Sequence, residues 1–356
     1  MRRLPGRPRP RLLPLLPFLI SSLVATGCAT VAKNDVGRAI PGESFVFAAG
    51  EKQGLFGRTY RLHLPPGAED GVARPLVVAL HGGFGSARIF DRQTGLSSLA
   101  DEHDFITVFP NGIGIFSLLR HWNGGWCCGK AASRPVDDIA YVDRVIEQVA
   151  ARWPVDRDRV YVIGYSNGGM LAHRYAAARA ETLAGAAIWA SAVGVAPVEP
   201  DVEPSKPRET WLPPTPSQPL PVLIAHGSDD RRVAPEGRTL GRLFASSGLR
   251  TLSIDESARW WARANDCAAG APAQRRDAEQ ASILRDYCQA GEDGSRVEVL
   301  LLDGATHDWP SPPRTLERDP RDPLHGFDLT LDMLEFFGLV DAERGDDGRG
   351  EVTPTP

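Results

Sequence analysis

No acidic residue precedes Asp35, and the net charge of the 356-residue chain is only −5. With no basic excess, nucleic acid is not an expected partner. The chain has five cysteines, none in the double C-x-x-C spacing of a zinc site. It has no internal repeat. The one long apolar stretch, Leu12–Thr26, is interrupted by Pro14 and Pro17 and is too short for a membrane span. What remains is 42% hydrophobic and 24% charged, a balance that suits a globular protein with a sizeable core. Gly at 36 and Pro at 30 point to many turns and long loops.

The first residues read as an export signal. "MRRLPGRPRPR" is basic, the apolar stretch follows, and "VATGCAT" ends it with small residues around Cys28. This pattern resembles a bacterial lipobox, in which the cysteine is lipidated and becomes the first residue. Removing residues 1–27 takes away five arginines and no acid, so the net charge moves from −5 to −10. The expectation is an extracytoplasmic protein, secreted or held to a membrane only by a lipid on Cys28. Residues 28–43 read as a tether, 44–340 as one folded domain and 341–356 as a disordered tail. Cys127, Cys128, Cys267 and Cys288 remain, in a compartment where disulfides persist. Of the three pairings, Cys267–Cys288 is favoured because it closes a short loop, which stabilises by roughly 3 kcal/mol. That leaves Cys127 and Cys128 as a vicinal bridge or free thiols.

From residue 44 on, the pattern is α/β. "SFVFAAGEKQGLFGRTYRLHLPPG" alternates like an antiparallel hairpin. "PLVVALHGG" is a continuous apolar run of the kind a parallel sheet buries on both faces. A helix is expected around Asp91–Glu102, a strand at "FITVFPNG", and a helix over Val136–Trp153 with apolar residues at helical spacing. Strands at Arg159–Ser166, Leu183–Gly194, Leu220–Gly227 and Ser295–Gly304, a helix at Gly168–Ala180 and a closing helix at Asp328–Val340 complete the order. Strand, helix, strand repeated means right-handed crossovers and a doubly wound, mostly parallel sheet with helices on both faces. Two irregular insertions, Ile113–Pro135 and the proline-rich Pro197–Pro219, are placed to roof a site.

The run "VYVIGYSNGGMLAHRYA" carries the chemistry. Gly164-Tyr165-Ser166-Asn167-Gly168 is a G-x-S-x-G sequence where a strand meets a helix, the setting of a nucleophile elbow. A serine hydroxyl needs a base, and the base needs an orienting carboxylate. In this topology the acid and then the histidine follow the serine in the chain. Asp229 and Asp230 follow the strand "LPVLIAHG", and Asp230 is preferred; His307 follows the last strand and is the expected base. His81 and His226 stand at strand ends and more naturally orient loops. The oxyanion of the tetrahedral intermediate needs two N–H donors, expected from Asn167 and Gly83, with Phe84 next in the same loop. Phe84, Trp122, Trp126 and Trp309 are expected on loops near the site, where aromatic side chains could contact substrate.

Seven ordered motifs, "LVVALHGGFGSA", "FITVFPNG", "WNGGWCCG", "VDDIAYVDRVI", "RVYVIGYSNGGMLAHRYA", "PVLIAHGSDDRRV" and "GATHDWP", resemble the polyhydroxybutyrate-depolymerase-like and feruloyl-esterase-like serine esterases of bacteria. The resemblance runs over residues 45–340. It implies an α/β-hydrolase fold, a Ser166–His307–Asp230 triad, a Cys267–Cys288 bridge, and a carboxylic ester as substrate with no cofactor or metal. The substrate expected is a 3-hydroxybutyrate polyester or oligomer, or a feruloyl or acetyl ester. The absence of any separate polymer-binding module favours soluble substrates. Arg231 and Arg232 stand where the family tends to have smaller or apolar residues. The competing readings are an acyltransferase or serine peptidase on the same fold, and a non-catalytic surface lipoprotein.

Overall fold

The computed structural model describes residues 44–53, 56–115, 118–128, 131, 136–198, 209–240, 248–268, 270–277, 282–288, 295–310, 324 and 327–341. The expected export signal, Cys28, the tether and the tail beyond 341 lie outside the described residues. Among the described residues, no helix is long and apolar enough to cross a membrane.

The N-terminal hairpin is β1 (Ser44–Gln53) and β2 (Phe56–His63), antiparallel as the alternation predicts. Then come β3 (Arg74–Leu80), β4 (Ile106–Pro110), β7 (Val155–Tyr165), β8 (Gly185–Trp189), β10 (Val222–Gly227) and β14 (Val297–Leu302). These six lie side by side in the order β4-β3-β7-β8-β10-β14, all parallel. β3 is buried along its whole length, and its residues alternate between two cores. Leu76, Val78 and Leu80 face one, and Val77 and Ala79 face the other. The first core is closed by α3 (Asp138–Ala150), α4 (Asn167–Ala178) and α5 (Ile254–Ala264). The second is closed by α1 (Ala87–Thr94), α2 (Leu96–His103) and α6 (Leu329–Phe336). This is the α/β-hydrolase architecture: a parallel sheet with both faces covered.

Three elements differ from expectation. The single helix expected around Asp91–Glu102 is two, α1 and α2, separated at Gly95. That residue takes φ 65, a left-handed conformation suited to glycine, and its N–H returns to the Asp91 carbonyl. No helix is expected between Leu220 and Ser295, yet α5 lies there. Its start has a capping box: Ser253 accepts from the Glu256 N–H, and Glu256 accepts from the Ser253 N–H. The sheet also gains a second antiparallel hairpin, β12 (Ala273–Asp277) and β13 (Ser282–Cys288), which pairs through β13 with β14.

The first insertion is not wholly irregular. It folds into a small hairpin, β5 (Ile113–Ile115) and β6 (Leu118–His121). In the second, β9 (Val195–Pro197) pairs with β11 (Leu249–Thr251), and Trp211 pairs with Val195. The two insertions touch: a Cβ added to Gly125 would run into the Trp211 ring. Residues 199–208 of the second insertion lie outside the described residues.

Candidate active site

β7 ends at Tyr165, and Ser166 turns the chain into α4 with φ 53 and ψ −117. For a residue with a Cβ this conformation costs about 1–3 kcal/mol and persists only where neighbours enforce it. The neighbours do so through contacts that only glycine allows. A Cβ at Gly164 would lie 2.6 Å from the Cβ of Ala172 and from the Gly168 carbonyl oxygen. One at Gly168 would strike the carbonyl oxygens of Leu80 and His81. The Ser166 N–H donates to the Trp189 carbonyl at 2.9 Å, and the Met170 N–H donates to that of Ser166.

The loops after β10 and β14 bring two more side chains to this turn. His307 Nε2 lies 2.9 Å from Ser166 Oγ, and His307 Nδ1 lies 2.7 Å from Asp230 Oδ2. The other carboxylate oxygen of Asp230 accepts the N–H groups of Arg232 (2.8 Å) and Val233 (2.9 Å). His226 Nε2 is 3.3 Å from Asp230 Oδ2 and 2.7 Å from the Val233 carbonyl. Burial alone would raise the Asp230 carboxyl. Hydrogen bonds from His226 and His307 outweigh it and hold the group well below the usual carboxylate range. Asp229 is exposed, its carboxylate accepts from the Ser228 hydroxyl at 3.4 Å, and its N–H donates to the Ala305 carbonyl. The arrangement is one acceptor–donor line, Asp230 to His307 to Ser166, with the acid fixed as an anion.

On the other side of Ser166 lies the β3–α1 loop. A Cβ at Gly82 would come within 2.9 Å of the Tyr165 ring, and one at Gly83 within 3.7 Å of Asn167 Cβ. The Phe84 N–H is spent on the Arg120 carbonyl at 2.8 Å. Gly83 and Asn167 are thus left facing one another beside the serine.

The expected substrate contacts divide. Phe84 is 66% exposed and meets the His121 ring edge-on. Trp126 is half-buried and packs with Cys127, Cys128, Met170 and Val233. Trp122 and Trp309 do not present a surface to substrate and are corrected to interior residues. Trp122 is fully buried, its indole N–H donating to the His81 carbonyl at 2.8 Å. Trp309 packs edge-on against Phe90 and Tyr165, and its N–H donates to Thr330 at 3.2 Å. Cys267 and Cys288 form a disulfide, Cα to Cα 5.4 Å, and Cys127 and Cys128 form a vicinal one. Among the described residues, no three His, Cys, Asp or Glu side chains gather where a metal ion could sit.

Sequence reasoning did not find the polar anchor beneath the site. Arg58 on β2 pairs with Asp138 at 2.7 Å, both buried, and lies over the Tyr141 ring. Asp138 in turn accepts the Asn123 N–H at 2.7 Å. Arg58 and Asp138 are 80 positions apart in the chain, and no spacing rule joins them.

The fold and this geometry define an α/β-hydrolase. Residues 58–197 match the family described as esterase PHB depolymerase. The chain is 29% identical to a protein of Nocardia uniformis subsp. tsuyamanensis named "Putative esterase NocK", over 71% of each chain. It is 25% identical to feruloyl esterase B of Piromyces equi, over 68% of this chain and 41% of that one. To poly(3-hydroxyalkanoate) depolymerase C of Paucimonas lemoignei it is 30% identical, over 35% of this chain and 29% of the other. The chain thus spans less than half the length of the last two. The protein is a carboxylic ester hydrolase, similar in part to the polyhydroxybutyrate-depolymerase-like and feruloyl-esterase-like enzymes.

Proposed function

We propose that the protein hydrolyses carboxylic esters through Ser166, with His307 as base and Asp230 as its orienting partner. Ser166 Oγ attacks the ester carbonyl carbon while His307 Nε2 takes its proton. The carbonyl oxygen becomes an oxyanion, met by the N–H groups of Asn167 and Gly83. Collapse expels the alcohol, which receives the proton from His307 and leaves the acyl group on Ser166. Water then attacks the acyl-enzyme, His307 takes its proton, and the acid departs as Ser166 regains its own. Asp230 stays ionised throughout and stabilises the imidazolium. Phe84 and Trp126 are the aromatic surfaces available to the acyl or alcohol part. The substrate class is a 3-hydroxybutyrate oligomer or a feruloyl or acetyl ester, in keeping with the names of the relatives.

The observation that supports this reading most is the pair of hydrogen bonds, 2.7 and 2.9 Å, that joins Asp230, His307 and a serine held at φ 53. The test is turnover of p-nitrophenyl butyrate, methyl ferulate and 3-hydroxybutyrate oligomers by the wild type and by Ser166→Ala. Loss of roughly 10⁶-fold in kcat is expected for the variant. Retained turnover would sink the assignment, and the ratio among substrates would choose the subclass. Transfer of the acyl group to an added alcohol in preference to water would favour the acyltransferase reading instead.

We further propose that the chain works outside the cytoplasm, anchored by a lipid on Cys28. The basic, apolar and small-residue segments before Cys28 motivate this. Intact mass of the protein recovered from membranes reads it: a mature chain beginning at diacylated Cys28 supports the anchor, and an intact Met1 overturns it.

A further inference from the structure

The geometry points to Asn167 and Trp122 as positioning residues for the oxyanion donors, acting through side chains that never touch the substrate. The inference rests on the serine-esterase reading above.

Asn167 is buried, and its side chain pairs with one residue in both directions. Its Oδ1 accepts the Trp122 N–H at 2.7 Å, and its Nδ2 donates to the Trp122 carbonyl at 3.1 Å. Two bonds from the planar amide to the N–H and C=O of one residue fix the side-chain torsions of Asn167 and brace its backbone, and with it its own N–H, against Trp122. Trp122 carries the connection onward, since its indole N–H donates to the His81 carbonyl at 2.8 Å. His81 holds the next residue. Its Nε2 accepts the Gly112 N–H at 3.0 Å, so the proton must lie on Nδ1, which donates to the Gly82 carbonyl at 2.8 Å. The Phe84 N–H on Arg120 fixes the far side of the same loop. Gly83 is the residue left between these two anchors. Elbow, β6 and the β3–α1 loop are thus tied into one circuit, with the two donor N–H groups on its inner edge.

His81 is fully buried, and burial lowers its pKa to about 3. The circuit therefore contains no group that changes charge near neutral pH. Each member bonds to backbone atoms, so what it sets is the place of a dipole. A donor misplaced by a fraction of an ångström loses much of its worth to the oxyanion and little of its worth to the ground-state carbonyl. The effect belongs in kcat.

Two variants test this, each with Ser166→Ala as control. Trp122→Phe keeps an aromatic ring in the core, deletes the donor to His81 and leaves the space of the lost second ring. Asn167→Asp keeps the acceptor for the Trp122 N–H and sets an oxygen against the Trp122 carbonyl. Active sites are counted by fluorophosphonate labelling, and kcat, KM and inhibition by a trifluoromethyl ketone are measured per labelled site. The expected result is a fall in kcat of about 10- to 100-fold in each variant, short of the roughly 10²–10³-fold loss of a whole oxyanion donor because the donor is displaced rather than removed. KM should stay within about threefold, the pH profile should not move, and ketone affinity should fall in step with kcat. Unchanged kcat per labelled site in both variants would overturn the inference, as would a loss confined to KM. Turnover surviving in Ser166→Ala would instead overturn the underlying esterase reading.

Discussion

The two sides of Ser166 are built in opposite ways. On one side, side chains would do the proposed chemistry: His307 comes from 141 positions down the chain, and Asp230 stands 77 positions from His307. On the other, backbone groups would do it, and the side chains behind them are buried and neutral. The first side, in the proposed mechanism, depends on a single proton path. Breaking any link of it breaks the whole. The second depends on placement, which a network shares among several bonds. Loss there should be graded, as the Trp122 and Asn167 variants are expected to show.

The sharpest contrast is between two adjacent carboxylates. Asp230→Asn keeps the shape and removes the charge that orients His307, so kcat should fall by about 10⁴-fold, the loss typical of this substitution in a triad. Its pH profile should shift too, because the imidazolium loses its partner. Asp229→Asn, one residue earlier and exposed, should leave kcat within about twofold, since exposed substitutions away from special contacts do little. Steady-state kinetics on p-nitrophenyl butyrate across pH 5–9 separates them. Equal losses would mean that Asp229 serves the site and that the relay side has been misassigned.

Much of the relay side is legible in the sequence, because each member sits just beyond a strand. Apolar runs mark the strands, and a parallel sheet gathers their C-terminal ends at one edge. Ser166 and His307 therefore stand out as candidates by position and chain order, while Asp230 shares its position with Asp229. The oxyanion side is legible only as glycines. That Trp122 lies behind the site rather than on it depends on tertiary burial, and a tryptophan between two strands reads alike in either place. Trp309 misleads for the same reason. Elsewhere, β12 is "AQRRD", with three charged residues of five and no apolar alternation, so its edge-strand character is hidden. In α5 the apolar Ile254, Ala258 and Trp261 recur at helical spacing and the S-x-x-E of "SIDE" is a capping signal, so the sequence does carry this helix.

Acid offers a gentler way to test the contrast. In the proposed mechanism His307 accepts a proton in every turnover, whereas His81 does not. His173 is a second buried imidazole, in α4, whose Nδ1 accepts the Trp261 indole N–H at 3.0 Å. Burial lowers the pKa of both His81 and His173 to about 3, from an ordinary 6.5. Between those values the unfolded chain binds protons at these positions and the folded chain does not. Stability therefore rises with pH through this window and is lost as pH falls below 6.5. Going from pH 7 to pH 5, each histidine should withdraw about 2 kcal/mol. Asp230, with a depressed acid, adds its own loss only at lower pH, below the ordinary carboxylate value. Urea unfolding at the two pH values measures the sum. His173→Gln keeps an acceptor for Trp261 without a titrating group, so it should remove about half of the difference and leave the part due to His81. A pH dependence untouched by that substitution would mean that His173 takes its proton in the folded state. If instead His173→Gln abolished the whole pH dependence, His81 would be free to protonate in the fold, and the neutral circuit behind the oxyanion donors would fail with it.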